Sequence, residues 1–271
     1  MLSKLMKYEV KATQRIFLPM YALIIVFAGI NKLFMQLNFQ RTNGMFSVAT
    51  GISMAVYVIL IAATFVMTLV VMIQRFYKNL LGDEGYLSFT LPVKVHSHID
   101  CKMLISLMWN VLSIVVAVLS VFILAVSSDM MKETREILTA IGKDFQHYGG
   151  MAWLVAVEVI VFVLVSILAC TLQIYASVTV GSYCSKHKLL AGFGAFIGFG
   201  VVQQIVASIL FGAYTGGQQM DYFLHSKVIT DWAALQTAAG WLGATILFTL
   251  VFGAAFYFFT NWLLSKKLNL E

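Results

Sequence analysis

Charge is what this sequence lacks most. Of its 271 residues, 11% are Asp, Glu, Lys or Arg and 61% are hydrophobic, with a mean hydropathy of +0.89. A soluble domain carries about a quarter charged residues. A water-soluble enzyme or binding module is therefore excluded, and an integral membrane protein is indicated. Proline is equally scarce, with Pro19 and Pro92 the only two. Long helices can thus run unbroken through most of the chain. The three cysteines, Cys101, Cys170 and Cys184, are odd in number and have no metal spacing. That argues against a disulfide framework. No G-x-x-x-x-G-K-S/T occurs, so the chain has no P-loop of its own. Neither H-E-x-x-H nor a pair of intramembrane glutamates is present, so nothing suggests a membrane protease. The N-terminal stretch has Lys4, Lys7, Lys11 and Arg15 but no small-residue cleavage site, and it reads as uncleaved. The net charge of +6 reads as membrane topology and not as nucleic-acid binding.

What is present is six apolar runs, at 16–35, 52–73, 103–126, 153–176, 189–213 and 241–264. Each is long enough to cross about 30 Å of hydrocarbon as a helix of about 20 residues. The first is the weakest, because Asn31 and Lys32 interrupt its end, although Lys32 can snorkel to the interface. The runs are continuous, not alternating, so a β-barrel does not fit. The expected fold is an all-α membrane protein, a single transmembrane domain over 1–271 with six spans.

Basic residues set the orientation. Twelve Lys and Arg fall at the N-terminus, between spans two and three, between spans four and five, and at the C-terminus; six fall on the other side. Both termini and the 75–92 segment are then cytoplasmic. The outer loops are 36–51, 127–152 and 214–240, none large enough for a separate domain. Residues 1–15 read as an amphipathic helix on the inner surface, with Leu2, Leu5, Met6 and Val10 near helical spacing between lysines. Pro19 then allows a sharp entry into the first span. A basic tail that only enforces topology is the alternative.

The segment 75–92, RFYKNLLGDEGYLSFTLP, has more structure than a reversal needs. Arg75–Leu81 can continue the second span into the cytoplasm, and Gly82 can break it. Asp83 can cap a new helix, with Asp83 and Glu84 at its positive end. Pro92 stops that helix at Leu91. The predicted element is about two turns, roughly 10 Å long. It is too short to be stable without a partner or neighbours. Tyr86, Leu87, Phe89, Thr90 and Leu91 supply its contacts.

The run FYKNLLGDEGYLSFTLP resembles the cytoplasmic coupling segment of small six-span ABC transporter permeases of the type-2 exporter class, similar to those of Firmicutes. The layout agrees over the whole chain, and the motif covers about seventeen residues. The resemblance implies that Gly82, Asp83, Glu84, Gly85, Tyr86, Leu87, Phe89, Thr90, Leu91 and Pro92 dock on a separate ATPase subunit. Two ATPase copies would pair with two permease copies, or with this chain and a related permease. ATP and Mg would sit on the ATPase, and this chain would carry no cofactor, no metal and no catalytic residue. The resemblance further implies a bacterial cytoplasmic membrane and a hydrophobic or amphipathic cargo, such as an antimicrobial peptide, a drug or a lipid. The family's extracellular elaboration before the last span corresponds to 214–240, which is short here.

Glu158 is the only acid within an expected span. Such acids face a bundle interior or a water-filled cavity and mark a pathway. Alternatively, its depth lets it reach headgroup water or an outer-loop cation. Asn110, Gln203 and Gln204 join it as candidates for the translocation path. Hydrogen bonding between helices is the plainer reading of all three, and of Gln173. Gly192–Gly200 lies inside a span with the wrong spacing for a nucleotide fingerprint. Gly194 and Gly198 form G-x-x-x-G, which lets another helix approach. His96 and His98 are spaced poorly for a metal. A stand-alone secondary carrier would favour midplane ionisable residues and internal repeats, and neither is clear. A membrane scaffold without an ATPase is the remaining alternative.

Overall fold

The computed structural model describes residues 2–36, 44–82, 85, 95–125, 128–184, 187–215 and 232–266. Among them the secondary structure is helical throughout. In chain order the α-helices are α1 Leu2–Gln36, α2 Gly44–Phe76, α3 Val95–Ala125, α4 Ser128–Tyr148, α5 Gly150–Ser182, α6 Lys188–Thr215 and α7 Trp232–Lys266. A π-turn, Tyr77–Leu81, extends α2. Among the described residues six helices are long and apolar enough to cross a membrane: α1, α2 with its π-turn, α3, α5, α6 and α7. The chain is a multi-pass membrane protein by that measure.

The helices outrun the apolar stretches that predicted them. α1 and α7 have 35 residues each, roughly 52 Å at 1.5 Å per residue, against about 30 Å of hydrocarbon. Polar ends stay helical because backbone bonding does not depend on hydropathy. The surface helix expected over 1–15, with a sharp entry at Pro19, is not a separate element: α1 runs through Pro19 without interruption. Membrane helices tolerate an internal proline because neighbours and local adjustment satisfy the freed carbonyl. The outer loop expected at 127–152 is also corrected. It contains α4, a 21-residue helix with Ile137, Ile141 and Phe145 at successive fourth positions. Gly149, with φ of 53°, separates α4 from α5 in the left-handed region that glycine accepts without strain.

The chain divides into two compact units. The first comprises Met1–Arg75 and Asp100–Lys143; the second comprises Phe76–Ile99 and Asp144–Glu271. The first is organised by a stripe on α1. Thr13, Phe17 and Tyr21 are all buried and spaced four apart, so they share one face. Phe17 stacks on Trp109 of α3 with centroids 4.4 Å apart, and Trp109 Nε1 donates to Thr13 Oγ1 at 2.9 Å. Further hydrogen bonds lace the same helices. The Tyr21 and Ser113 hydroxyls are 2.8 Å apart, Thr68 of α2 reaches Ser113 at 3.3 Å, and Tyr57 of α2 meets Ser120 at 2.8 Å. Asn31 Nδ2 donates to the Ser53 carbonyl at 3.3 Å, joining α1 to α2.

The second unit is joined by rings and small residues. Phe199 of α6 packs on Phe256 of α7 at 5.2 Å, and Phe211 meets Trp241 at 5.5 Å. Gly253 of α7 lies against Ala169 of α5, where an added Cβ would stand 3.5 Å from the alanine methyl. The α5–α6 turn is tightest at Gly181. A Cβ there would fall 2.6 Å from the Lys188 carbonyl oxygen and 2.7 Å from Gly192 N, both backbone atoms.

Candidate functional site

The 75–92 segment begins where α2 changes pitch. The last turn widens to i→i+5 bonding and closes with the Gly82 N–H donating to the Tyr77 carbonyl at 2.8 Å. Gly82 is extended, with φ of −95° and ψ of −169°, so the helix stops there as the sequence implied. Phe76 and Leu80 are 0% and 1% exposed. Phe76 lies flat on Tyr175 of α5, with centroids 4.0 Å apart and planes inclined by 7°. The exit of α2 is thereby seated on α5. Gly85 follows, buried, its N–H donating to the Gly82 carbonyl at 2.8 Å. Asp83, Glu84, Tyr86, Leu87, Phe89, Thr90, Leu91 and Pro92 lie outside the described residues. α3 starts at Val95, eight residues before the apolar run, and carries His96 and His98 in its first turn.

Sequence reasoning missed a charge cluster that joins α1, α2 and α3 in the first unit. Glu9 of α1 accepts from Lys102 Nζ of α3 at 2.5 Å through Oε1, and its Oε2 lies 3.5 Å from Arg75 Nη1 of α2. All three belong to the first unit. An ion pair between residues 93 positions apart leaves no local pattern in a sequence. The available signal was indirect: an acid on a basic N-terminal helix, and a basic residue at each end of one loop.

Glu158 sits eight residues into α5, about 12 Å along it. Its Oε1 would stand 3.7 Å from a Cβ placed on Gly243 of α7, so the carboxyl lies beside that helix at ordinary contact distance. Its Oε2 is buried and has no hydrogen-bond partner among the described residues. The carboxyl therefore turns into the α5–α7 seam of the second unit.

The other candidates separate. Asn110 is in the first unit, and its Nδ2 donates to the Ser106 carbonyl of its own helix at 2.9 Å. The expected bond from Asn110 to another helix is corrected accordingly: an amide on a helix flank satisfies itself at i−4 when that carbonyl is in reach. Gln203 is half-buried and Gln204 exposed on α6. Gln173 does join helices, its Nε2 donating to the Phe196 carbonyl at 3.3 Å. Around the G-x-x-x-G pair, no described atom comes within 4 Å of a Cβ added at Gly194 or Gly198. The close approach within this chain is at Gly181 and Gly192 instead.

The second unit also holds a cleft of about 830 Å³ between α6 and α7. Its walls include Leu210 and Phe211 of α6 and Trp241, Leu247 and Phe252 of α7, with Gln236 among its lining residues. Its size is that of a small-molecule site. Asn110, Glu158, Gln203 and Gln204 are not among the residues lining it. Among the described residues no group of three or more His, Cys, Asp or Glu is placed to hold a metal.

Among the described residues the candidate features of this multi-pass membrane protein are thus a structured end to α2, the Glu158 carboxyl in the α5–α7 seam and the apolar cleft between α6 and α7. Comparisons with protein-family models, with curated proteins and with solved structures found no match.

Proposed function

We propose that this protein is the membrane-spanning subunit of an ATP-driven exporter, coupled through Gly82–Pro92 to a separate ATPase. The observation that carries this reading is the end of α2. A loop that only reverses the chain needs no buried root, yet Phe76 and Leu80 are buried and Phe76 stacks on Tyr175. A force applied to the segment reaches α5, the helix that bears Glu158. The missing P-loop requires that hydrolysis occur on another chain.

In this reading both termini and the segment are cytoplasmic, as the basic residues indicate. The cargo is hydrophobic or amphipathic. The apolar cleft between α6 and α7 supports that class, and the unpartnered Glu158 oxygen offers one polar contact in the α5–α7 seam. The functional assembly is two membrane subunits with two ATPase subunits, which bring ATP and Mg.

The test is purification of the tagged full chain from bacterial membranes. An ATPase should copurify, and the chain separated from it should hydrolyse no ATP. Tyr86→Ala and Phe89→Ala should weaken that association, since truncating a buried aromatic anchor costs about 2 kcal/mol or more. Normal association and normal export in a Glu84→Lys, Phe89→Ala double variant would remove the reading.

A further inference from the structure

Within the second unit, α6 and α7 are held apart by rings. Phe211 of α6 packs against both Trp241 and Phe248 of α7, with centroids 5.5 and 5.7 Å apart. Gly240 and Ala244 of α7 line the same gap and are small, and no described atom lies within 4 Å of a Cβ added at Gly240. Large rings prop the helices and small residues leave room, and the result is the cleft of about 830 Å³. Further along, Phe199 of α6 meets Phe256 and Phe259 of α7 at 5.2 and 5.9 Å and bridges the gap. The depth of the cleft matches one leaflet. From Trp241 to Phe252, its wall on α7 advances about 16 Å at 1.5 Å per residue. One leaflet supplies about 15 Å, half of about 30 Å of hydrocarbon. Gln236 and Thr237 line the cleft up to about 7 Å beyond Trp241, which is the thickness of a headgroup layer. Tryptophan favours the boundary between the two layers. No Lys or Arg is among the described lining residues. Leu210, Leu247 and Val251 are more than half exposed, so the cleft opens sideways along the spans.

We propose that this cleft binds one phospholipid of the surrounding bilayer, with an acyl chain between α6 and α7 and a zwitterionic headgroup at Gln236 and Thr237. Hydropathy does not hold the chain there, because the bilayer is as apolar as the cleft. Contact does. The walls of an unfilled gap lack dispersion partners, and a flexible chain supplies them. The headgroup is held by hydrogen bonds: the Gln236 amide offers donors and an acceptor, and Thr237 a hydroxyl, to phosphate and ester oxygens. With no cation in the described wall, a net anionic headgroup gains no ion pair there. The site goes beyond the exporter reading and does not rest on it, since it needs only the second unit in a membrane.

The test uses the full chain in detergent, with whatever partner copurifies. It is equilibrated with equal amounts of phosphatidylcholine and phosphatidylglycerol bearing identical chains, and bound lipid is counted by native mass spectrometry. One phosphatidylcholine per chain should bind, favoured about fivefold over phosphatidylglycerol. Ala244→Phe fills the cleft and should lower bound phosphatidylcholine about tenfold. Should that variant fail to accumulate, Gly240→Leu makes the same comparison. A second arm offers phosphatidylcholine against the fatty-acid methyl ester of the same chain. The wild type should favour the phospholipid about fivefold, and Gln236→Leu with Thr237→Val should bind the two equally. Equal lipid binding by the wild type and the filled variant would make the lipid a general coat and overturn the site. A preference for phosphatidylglycerol would overturn the zwitterionic headgroup. A wild type that runs as a dimer and binds no phospholipid would give the cleft to a second copy and overturn the proposal. No arm uses ATP, so absence of an ATPase would remove the exporter reading while lipid binding still decides this one.

Discussion

The two units solve the same problem by different means. The first fastens its helices with directed bonds: Trp109 to Thr13, Tyr21 to Ser113, Tyr57 to Ser120 and Glu9 to Lys102. The second leans mainly on tilted rings, on Gly253 against Ala169 and on the Gly181–Gly192 crossing, with fewer directed bonds, Gln173 to the Phe196 carbonyl and Tyr183 to the Leu263 carbonyl. Lipid is as apolar as leucine, so neither unit gains from hiding apolar surface, and both depend on packing and polar bonds. A ladder of hydrogen bonds fixes register, because sliding one helix breaks several bonds together. Ring contacts tolerate small shifts at about 0.5–1.5 kcal/mol per pair. The difference teaches where change of shape is cheap. It is cheap in the unit that holds the cleft and the unpartnered carboxyl.

The most disruptive test removes the centre of the first unit. Trp109→Ala deletes the Phe17 stack and the bond to Thr13, and should cost about 3–5 kcal/mol. Thermal unfolding of the purified protein would show it as a clear drop in midpoint. In the second unit, Gly181→Ala forces a methyl against backbone atoms of Lys188 and Gly192 and should cost about 1–3 kcal/mol. If Gly181→Ala is harmless, the α5–α6 crossing is looser than its geometry indicates, and the second unit is more adaptable still. Tyr57→Phe sharpens the contrast by removing a single rung. Interhelical hydrogen bonds in membranes average about 0.6 kcal/mol, so one rung is small and the ladder acts by number. The smallest effect belongs to Glu158→Gln, which should leave stability within about 0.5 kcal/mol, because Oε2 has no described partner to lose. A large loss in the same unfolding assay would reveal an ion pair and count against the proposed cargo contact of Glu158. Unchanged stability with altered cargo preference would do the reverse.

The spans were legible because an apolar run of twenty residues has few other uses. Their ends were not. The start of α3, VHSHIDCK, is polar, and hydropathy alone placed it in a loop although the backbone there is helical. α4 was lost for the same reason: KETRE dominates its average, while the fourfold spacing of Ile137, Ile141 and Phe145 was the signal that mattered. Glu158 stood out as a lone acid, and its place beside Gly243 gives that oddity a geometry. Asn110 looked like a link between helices and is bonded within its own. The bonds that organise the first unit join serines, threonines and tyrosines on different helices. Such residues look unremarkable singly, and only their juxtaposition gives them meaning.

The Glu9 cluster also dictates an order of assembly. Glu9 is made early, and Lys102 follows 93 residues later. At roughly 5–20 residues per second of synthesis, the carboxylate waits about 5–20 s for its nearest partner. Arg75, at the end of α2, is made before Lys102, so the carboxylate meets one basic partner before the other. Arrival of the third span brings Lys102 and Trp109 together and closes the face from Glu9 to Tyr21 in one step. α1 is thus made well before the helix that completes its packed face.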